Sequence, residues 1–581
     1  MPSFLDLPQP VLDRLTYILD PEPDTSKILG TRLRPGSYLH SAPREIVALS
    51  STCKKAREML APTVFECVMI TTKHGVGKRE KSELEWLAEK GEKVLEQVRV
   101  VAYGDFEPSA IQLADQCLRR MVNLKCYTHC TPSPLSPVFS ASLATLSHLE
   151  VFHDIFGGVE SLPRLLPLGD RLKNVNINAE IVSPRFATDW VTCPVTVAAE
   201  RRKKLPRNER NVATVGEQAE ATVEYLAQLL HAMKDHVEVI SVFGSDIYRD
   251  NAGKGDAWAT EWLKHLFERL RKLNGGDEYP VFPELEGVFL AGCNIRCKGF
   301  AHLLETSPKI KELEITEVEK TAMPPPPHPL KKLEYLYVLP DDFTPVSAFI
   351  RSISHGAPLK HLAINGLMHA QIPEVFERPF QHLRRLDLDC AGQAPATTRH
   401  FNLIARRCPL LQQLHLVGGY WSCEATDIFN ALRPLRYLRS FTFDHPWEAP
   451  RNFPFPQPDG RTIRTNRHQD FRVISIKRAG MTIGEEMKRG IREDIDVVLP
   501  TYHKRFAKVA KAHPFLRVVE WIATSEVTWT WTFVRDGDLD EGKLKRMRHD
   551  PVIDVGGEGP PTEHAGVFMT MPVDGGNRRR R

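Results

Sequence analysis

Along this chain apolar residues recur in pairs two apart, each pair preceded three residues earlier by another apolar side chain. Leu383-Arg-Arg-Leu386-Asp-Leu388-Asp-Cys390 shows the pattern. Leu386 and Leu388 share one face of an extended strand, while Arg385, Asp387 and Asp389 share the other. The stretch is too short for a helix and reads as a half-buried strand. A strand this short cannot bury its apolar row alone, so it calls for copies of itself stacked on either side.

The copies are present. Reading the first apolar position of each, they start at Leu95, Met121, Leu146, Leu172, Val237, Leu285, Ile310, Leu333, Leu359, Leu383, Leu411, Leu438, Phe471 and Leu516. Leu95 to Met121 is 26 residues, Met121 to Leu146 is 25 and Leu359 to Leu383 is 24. Leucine-rich repeats have periods of about 20–29 residues. Helical patterns fall between the strands at Phe106–Met121, Val223–Met233, Trp258–Leu273, Phe300–Thr306, Val346–His355, Phe401–Cys408 and Tyr502–His513. A Pro often marks the hand-over, as in Cys408-Pro409-Leu410-Leu411, because Pro cannot continue a helix. The expected fold is α/β: a curved, right-handed repeat solenoid over 95–535 with a parallel sheet on its concave side.

The period breaks in four places. Leu172 to Val237 spans 65 residues and Leu438 to Phe471 spans 33, which predicts loops near 180–222 and 444–470. Val237 to Leu285 spans 48, as for two repeats with one strand unrecognised, and Phe471 to Leu516 spans 45. Pro324–Pro327 is a shorter excursion. Val527-Thr-Trp529-Thr-Trp531-Thr-Phe533 alternates strictly and suits a closing strand. Asp536–Arg581, rich in Gly, Pro and charge, reads as a disordered tail.

Residues 1–70 differ. Leu7 and Pro8 lead into Val11, Leu12, Leu15, Ile18 and Leu19, spaced for one helical face. A polar loop over 21–43 follows, then helical patterns through Leu49, Cys53, Lys54 and Met59, closing on the apolar Val64–Val68. Residues 71–94 read as a linker, mobile around Lys73–Lys81, and a first helix. A helical unit of this size leaves apolar surface uncovered if it stands alone. It is either a cap on the repeats or a docking module.

Leu5-Asp-Leu-Pro8…Val11-Leu12-Asp-Arg-Leu15…Ile18-Leu19-Asp20, followed by Ile46-Val-Ala-Leu49-Ser-Ser-Thr-Cys53-Lys-Lys-Ala-Arg57, resembles an F-box of the fungal type. The loop over 21–43 is longer than a typical F-box carries there. The repeats behind it match the leucine-rich-repeat class of F-box protein. The resemblance implies a substrate receptor of an SCF-type (cullin–RING) ubiquitin ligase, without a catalytic site of its own. By position, Leu7, Pro8, Val11, Leu12, Leu15 and Ile18 would form one docking face for the Skp adaptor, and Leu49, Cys53, Lys54 and Met59 a second. The alternative is a leucine-rich-repeat interaction scaffold unconnected to a ligase.

Composition narrows this further. Lys+Arg 77 against Asp+Glu 73 leaves +4, so no general pull toward nucleic acid or membrane is expected. No apolar run approaches a membrane span, and Met1-Pro-Ser-Phe lacks a signal-peptide pattern. Eleven scattered Cys suit a reduced, cytoplasmic or nuclear protein. Phosphate-binding Gly-rich loops, G-x-S-x-G and H-E-x-x-H are all missing, so an enzyme has no supporting constellation, and no cofactor is expected. Cys126, His129 and Cys130 are metal-ligand types without a second cluster at finger spacing, and read as a strand end plus a turn. Cys293 and Cys297 read as structural thiols. Arg201–Arg207 reads as an import signal, a phosphate contact or a solvated loop. The remaining candidate surface is the row of outward strand residues: Phe289, Glu312, Glu314, His361, Arg385, Asp387, Gln413, His415 and Thr442. Tyr420 and Trp421 follow as aromatic anchors of the type enriched at interfaces. A protein target would bind there, unless the row is a merely soluble polar face.

Overall fold

In a computed structural model, the described residues lie within 60–70, 77–179, 221–244, 257–318, 330–391, 395–443, 455–456, 462–463, 509–524, 527–535 and 544–553, with short gaps inside these stretches. The chain divides into two compact units, Met1–Arg378 and Pro379–Arg581.

Among the described residues the first unit carries ten strands, each paired in parallel with the next in sequence: β1 (Cys67–Ile70), β2 (Val100–Tyr103), β3 (Cys126–His129), β4 (Val151–Asp154), β5 (Asn174–Ala179), β6 (Val239–Gly244), β7 (Gly287–Ala291), β8 (Glu312–Val318), β9 (Tyr335–Pro340) and β10 (His361–Met368). The second unit holds β11 (Arg385–Ala391), β12 (Pro395–Ala396), β13 (Gln413–Val417), β14 (Tyr420–Trp421), β15 (Ser440–Phe443), β16 (Phe455–Pro456), β17 (Thr462–Ile463), β18 (Val518–Thr524), β19 (Val527–Arg535) and β20 (Leu544–Ile553). Here β11, β13, β15 and β18 run parallel in that order, and β19 and β20 close the edge antiparallel. The alternating Val527–Phe533 stretch therefore forms the expected closing strand. The expected disordered tail is corrected over Leu544–Ile553, which is the last strand.

Most of the parallel strands are entered through the same turn. The N–H of Leu411 donates to Cys408 O, that of Leu438 to Leu435 O, that of Leu333 to Leu330 O and that of Leu124 to Met121 O. The unit is thus a buried residue, a second three later at the turn, and two more on the strand, as in Cys408, Leu411, Leu414 and Leu416. This corrects the phase of the first three repeats. Val100, Cys126 and Val151 fall in the register that ends, within their unit, at His361, which follows Leu359 by two. Val98, Leu124 and Leu149 therefore stand in the Leu359 position, and Leu95, Met121 and Leu146 stand one turn earlier. Both sets are buried, so hydrophobicity alone does not separate them.

Three further expectations change. The sheet begins before Leu95, because Cys67–Ile70 pairs with β2. No strand is missing between Val237 and Leu285, because β6 pairs directly with β7; the extra length includes the Ala257–Leu273 helix. No strand stands between β15 and β18, which pair directly, so the repeat expected at Phe471 does not separate them; Phe471 itself lies outside the described residues.

The helices match the sequence pattern closely at Ile111–Arg120, Ala257–Leu273, Lys298–Thr306, Ser347–Ser354 and Thr398–Arg407, and over 223–233. The pattern missed Pro137–Leu143, started by the Ser136 side chain accepting from Val138 N–H, and Ala425–Leu432. Gly77–Lys90 is helical, where a mobile stretch was expected around Lys73–Lys81. The described residue 509 falls in the expected Tyr502–His513 helix; most of that segment lies outside the described residues.

Helices pack on one face of the strands. Tyr103 sits against Phe139 at 5.2 Å between ring centroids and donates its hydroxyl to Ala114 O at 2.7 Å. Phe267, on Ala257–Leu273, presses on Gly299 of Lys298–Thr306, and a Cβ at Gly299 would fall on the Phe267 Cβ and ring. Gly299→Ala should therefore overpack this contact and lower stability by about 1–3 kcal/mol, read as a drop in Tm; an unchanged melt would show that the two helices can separate at no cost.

Candidate functional site

The strand register lines up the side chains on the face away from the helices. In the first unit one row runs Ala102, Thr128, His153, Asn176, Ser241, Phe289, Glu314, Tyr337 and Ala363. In the second, Asp387, His415 and Thr442 follow one another in register. The sequence-derived surface residues therefore do occupy one face of each unit. They are not freely solvated, however. Phe289 is 6 %, Glu314 1 %, Asp387 3 % and Thr442 7 % exposed, whereas Gln413 is exposed and Glu312, His361, Arg385 and His415 are partly buried.

In the first unit, His361 meets Tyr335 edge-on at 4.7 Å between ring centroids, its register neighbour on β9. Burial first, then the nearby Glu286 and Glu334 carboxylates, pushes the Glu312 carboxyl upward, with Lys311 opposing.

The second unit holds the denser constellation. Arg385 Nε donates to Asp387 Oδ2 at 2.8 Å, two residues along β11. Asp387 stands opposite His415, and Arg385 opposite Gln413. Burial brings His415 down to about 4, against the opposing pull of Asp387, while Arg385 adds to the lowering. The imidazole is therefore neutral near pH 7 and can offer a donor and an acceptor. Arg385 spends Nε on Asp387 and retains two further donor groups. Such a site can recognise polar groups, and its Arg–carboxylate pair gives a fixed geometry. Tyr420 and Trp421 are placed by backbone pairing, Pro395 with Tyr420 and Ala396 with Trp421. Their side chains lie outside the described residues.

Leu7, Pro8, Val11, Leu12, Leu15, Ile18, Leu49, Cys53, Lys54 and Met59 lie outside the described residues, as do Cys130, Cys293 and 201–207. Cys126 and His129 are buried in β3, and no grouping of three or more metal-ligand side chains occurs among the described residues. Cys297 is the residue preceding the Lys298–Thr306 helix, and burial pushes its thiol up to about 11, so it is protonated and unreactive at neutral pH.

Sequence reading missed two features. His153 is buried with neither ring nitrogen hydrogen-bonded among the described residues, and burial brings it down to about 4. A cavity of about 450 Å³ lies at the leading edge of the first strands, lined by Glu66, Glu96, Gln97, Arg99, Asn123, Lys125 and His148. Its charges are mixed, and Arg99 pairs with Glu66 at 3.6 Å. Neither feature carries a motif that a linear pattern could flag. No helix among the described residues is long and apolar enough to cross a membrane. No family model matches the chain, and no curated protein matches it.

Proposed function

We propose that the chain is the substrate-recognition subunit of an SCF-type ubiquitin ligase, an F-box protein with a leucine-rich-repeat solenoid and no catalytic site of its own. The N-terminal segment would dock to the Skp adaptor, and the open, concave side of the repeats would hold a protein target. What carries the reading is succession along the chain. An F-box-like segment is followed directly by parallel strands, one per repeat, whose first member is Cys67–Ile70. Arg385, Asp387, Gln413 and His415 would contribute target contacts from the most regular strands, with Tyr420 and Trp421 beside them. A preformed row of this kind loses less entropy on binding than a flexible loop.

The test is capture of the purified Skp adaptor by the full chain. Replacing Leu12 and Leu15 by Asp would place two charges in an apolar interface, so capture should be lost while the thermal melt of the repeats is retained. Equal recovery by the parent and the double variant would rule out docking through this face.

A further inference from the structure

The residues that enter β2, β3, β4 and β5 stand side by side at the leading edge of the first unit. Lys125 N–H donates to Arg99 O at 2.8 Å, Glu150 N–H to Lys125 O at 2.9 Å and Lys173 N–H to Glu150 O at 2.8 Å. Lys125 therefore has Arg99 on one side and Glu150 on the other. Both neighbours pair away from it. Arg99 lies 3.6 Å from Glu66, and Glu150 lies 3.1 Å from Lys173. Hydrogen bonding to Glu150 is the largest of the effects that raise Lys173 above its usual range. Lys125 is exposed and forms no ion pair within 4.0 Å among the described residues.

Lys125 lines the cavity of about 450 Å³. So does Glu96, the residue that follows the Glu92–Leu95 turn, and it too forms no ion pair among the described residues. On an open surface water would serve each charge, and neither would mean anything. Here a cation and a carboxylate that do not reach each other border one concavity, where the protein walls strengthen the field of each. The same lining carries two amides. Asn123 Nδ2 donates to Glu96 O at 2.8 Å, which holds the amide in place and leaves its Oδ1 as an acceptor. Gln97 is partly buried and forms no side-chain hydrogen bond among the described residues, so it offers both a donor and an acceptor.

We propose that this cavity binds a small zwitterion of the dipeptide class, its carboxylate toward Lys125 and its ammonium toward Glu96. One such molecule supplies a partner to both charges at once, and its peptide group can meet the amides of Gln97 and Asn123. The volume lies in the range of cavities that hold small ligands. A phosphate would gain Lys125 but would stand against the Glu66 and Glu96 carboxylates, a like-charge cost. The end of a protein chain brings one charge and leaves the other without a partner. The inference goes beyond the ligase reading and depends neither on adaptor docking nor on the target contacts of the second unit.

Isothermal titration calorimetry of the full chain with alanyl-alanine tests it. The comparison probes are the N-acetyl form, which lacks the ammonium, the C-terminal amide, which lacks the carboxylate, and inorganic phosphate. Alanyl-alanine should bind saturably, and each blocked form about tenfold or more weakly, as for loss of one charged hydrogen bond. Lys125→Met should largely remove the difference between alanyl-alanine and its amide. Glu96→Gln should do the same for alanyl-alanine and its N-acetyl form. An unchanged Tm confirms that both variants fold. No saturable binding of alanyl-alanine, unchanged affinity in either variant, or tighter binding of phosphate than of the dipeptide would each overturn the proposal.

Discussion

Replacing Phe441 by Ala is expected to cost the second unit about 3–5 kcal/mol of stability. Phe441 is fully buried on β15, opposite Leu414 of β13 and Val519 of β18. Its ring stacks on Phe443 at 4.9 Å, and Phe429 of the Ala425–Leu432 helix meets it edge-on at 5.3 Å. Truncation removes the apolar area and also leaves a cavity whose walls are strands bonded to their neighbours, so collapse around it is limited. The aromatic contacts add to the loss beyond their area. Urea unfolding of the full chain, followed by a probe that reports the second unit, measures it. A loss under about 1 kcal/mol would mean that the helix can move in to fill the space, contrary to a rigid aromatic wedge.

Acidification should destabilise the first unit through His153. Its folded form is held neutral by burial, down to about 4 from an ordinary 6.5. Between those values the unfolded chain takes up a proton that the folded one does not. Stability therefore falls as pH drops through this window and levels off below it, by about 3 kcal/mol in all. Thr128 and Asn176 are its register neighbours on β3 and β5, and no charged group contributes to the shift. Because His415, His513 and carboxylates also titrate on acidification, the reading is a difference. Unfolding free energies of the parent chain and of His153→Leu are compared at about pH 7 and about pH 4.5, and the variant should lose less by about 2–3 kcal/mol. Equal losses in the two proteins would show that His153 is already protonated in the folded chain or leaves its buried position.

What could be read from the chain divides along a physical line. Leu386, Leu388, Leu414 and Leu416 declare their face by spacing alone, since a strand's side chains alternate whatever lies beyond it, and all four are buried. The helices at Ala257–Leu273 and Thr398–Arg407 declare themselves in the same local way. For the candidate site, the sequence placed Arg385, Asp387 and His415 on one face, but not the burial of Asp387 or the neutral imidazole. Burial depends on what lies over a side chain, and that is set by parts of the chain far away in sequence.

The sequence by itself determined the short amphipathic strands and their approximate period, because these are properties of spacing and composition within a repeat. Only the tertiary structure decided the phase of Val98, Leu124 and Leu149, the direct pairing of β15 with β18 across the excursion, and the gathering of Glu96, Lys125 and His148 around one cavity. Register is a relation between strands. Backbone hydrogen bonds select it from several shifts that bury the same number of apolar side chains, and a linear pattern with apolar residues every third position cannot distinguish those shifts.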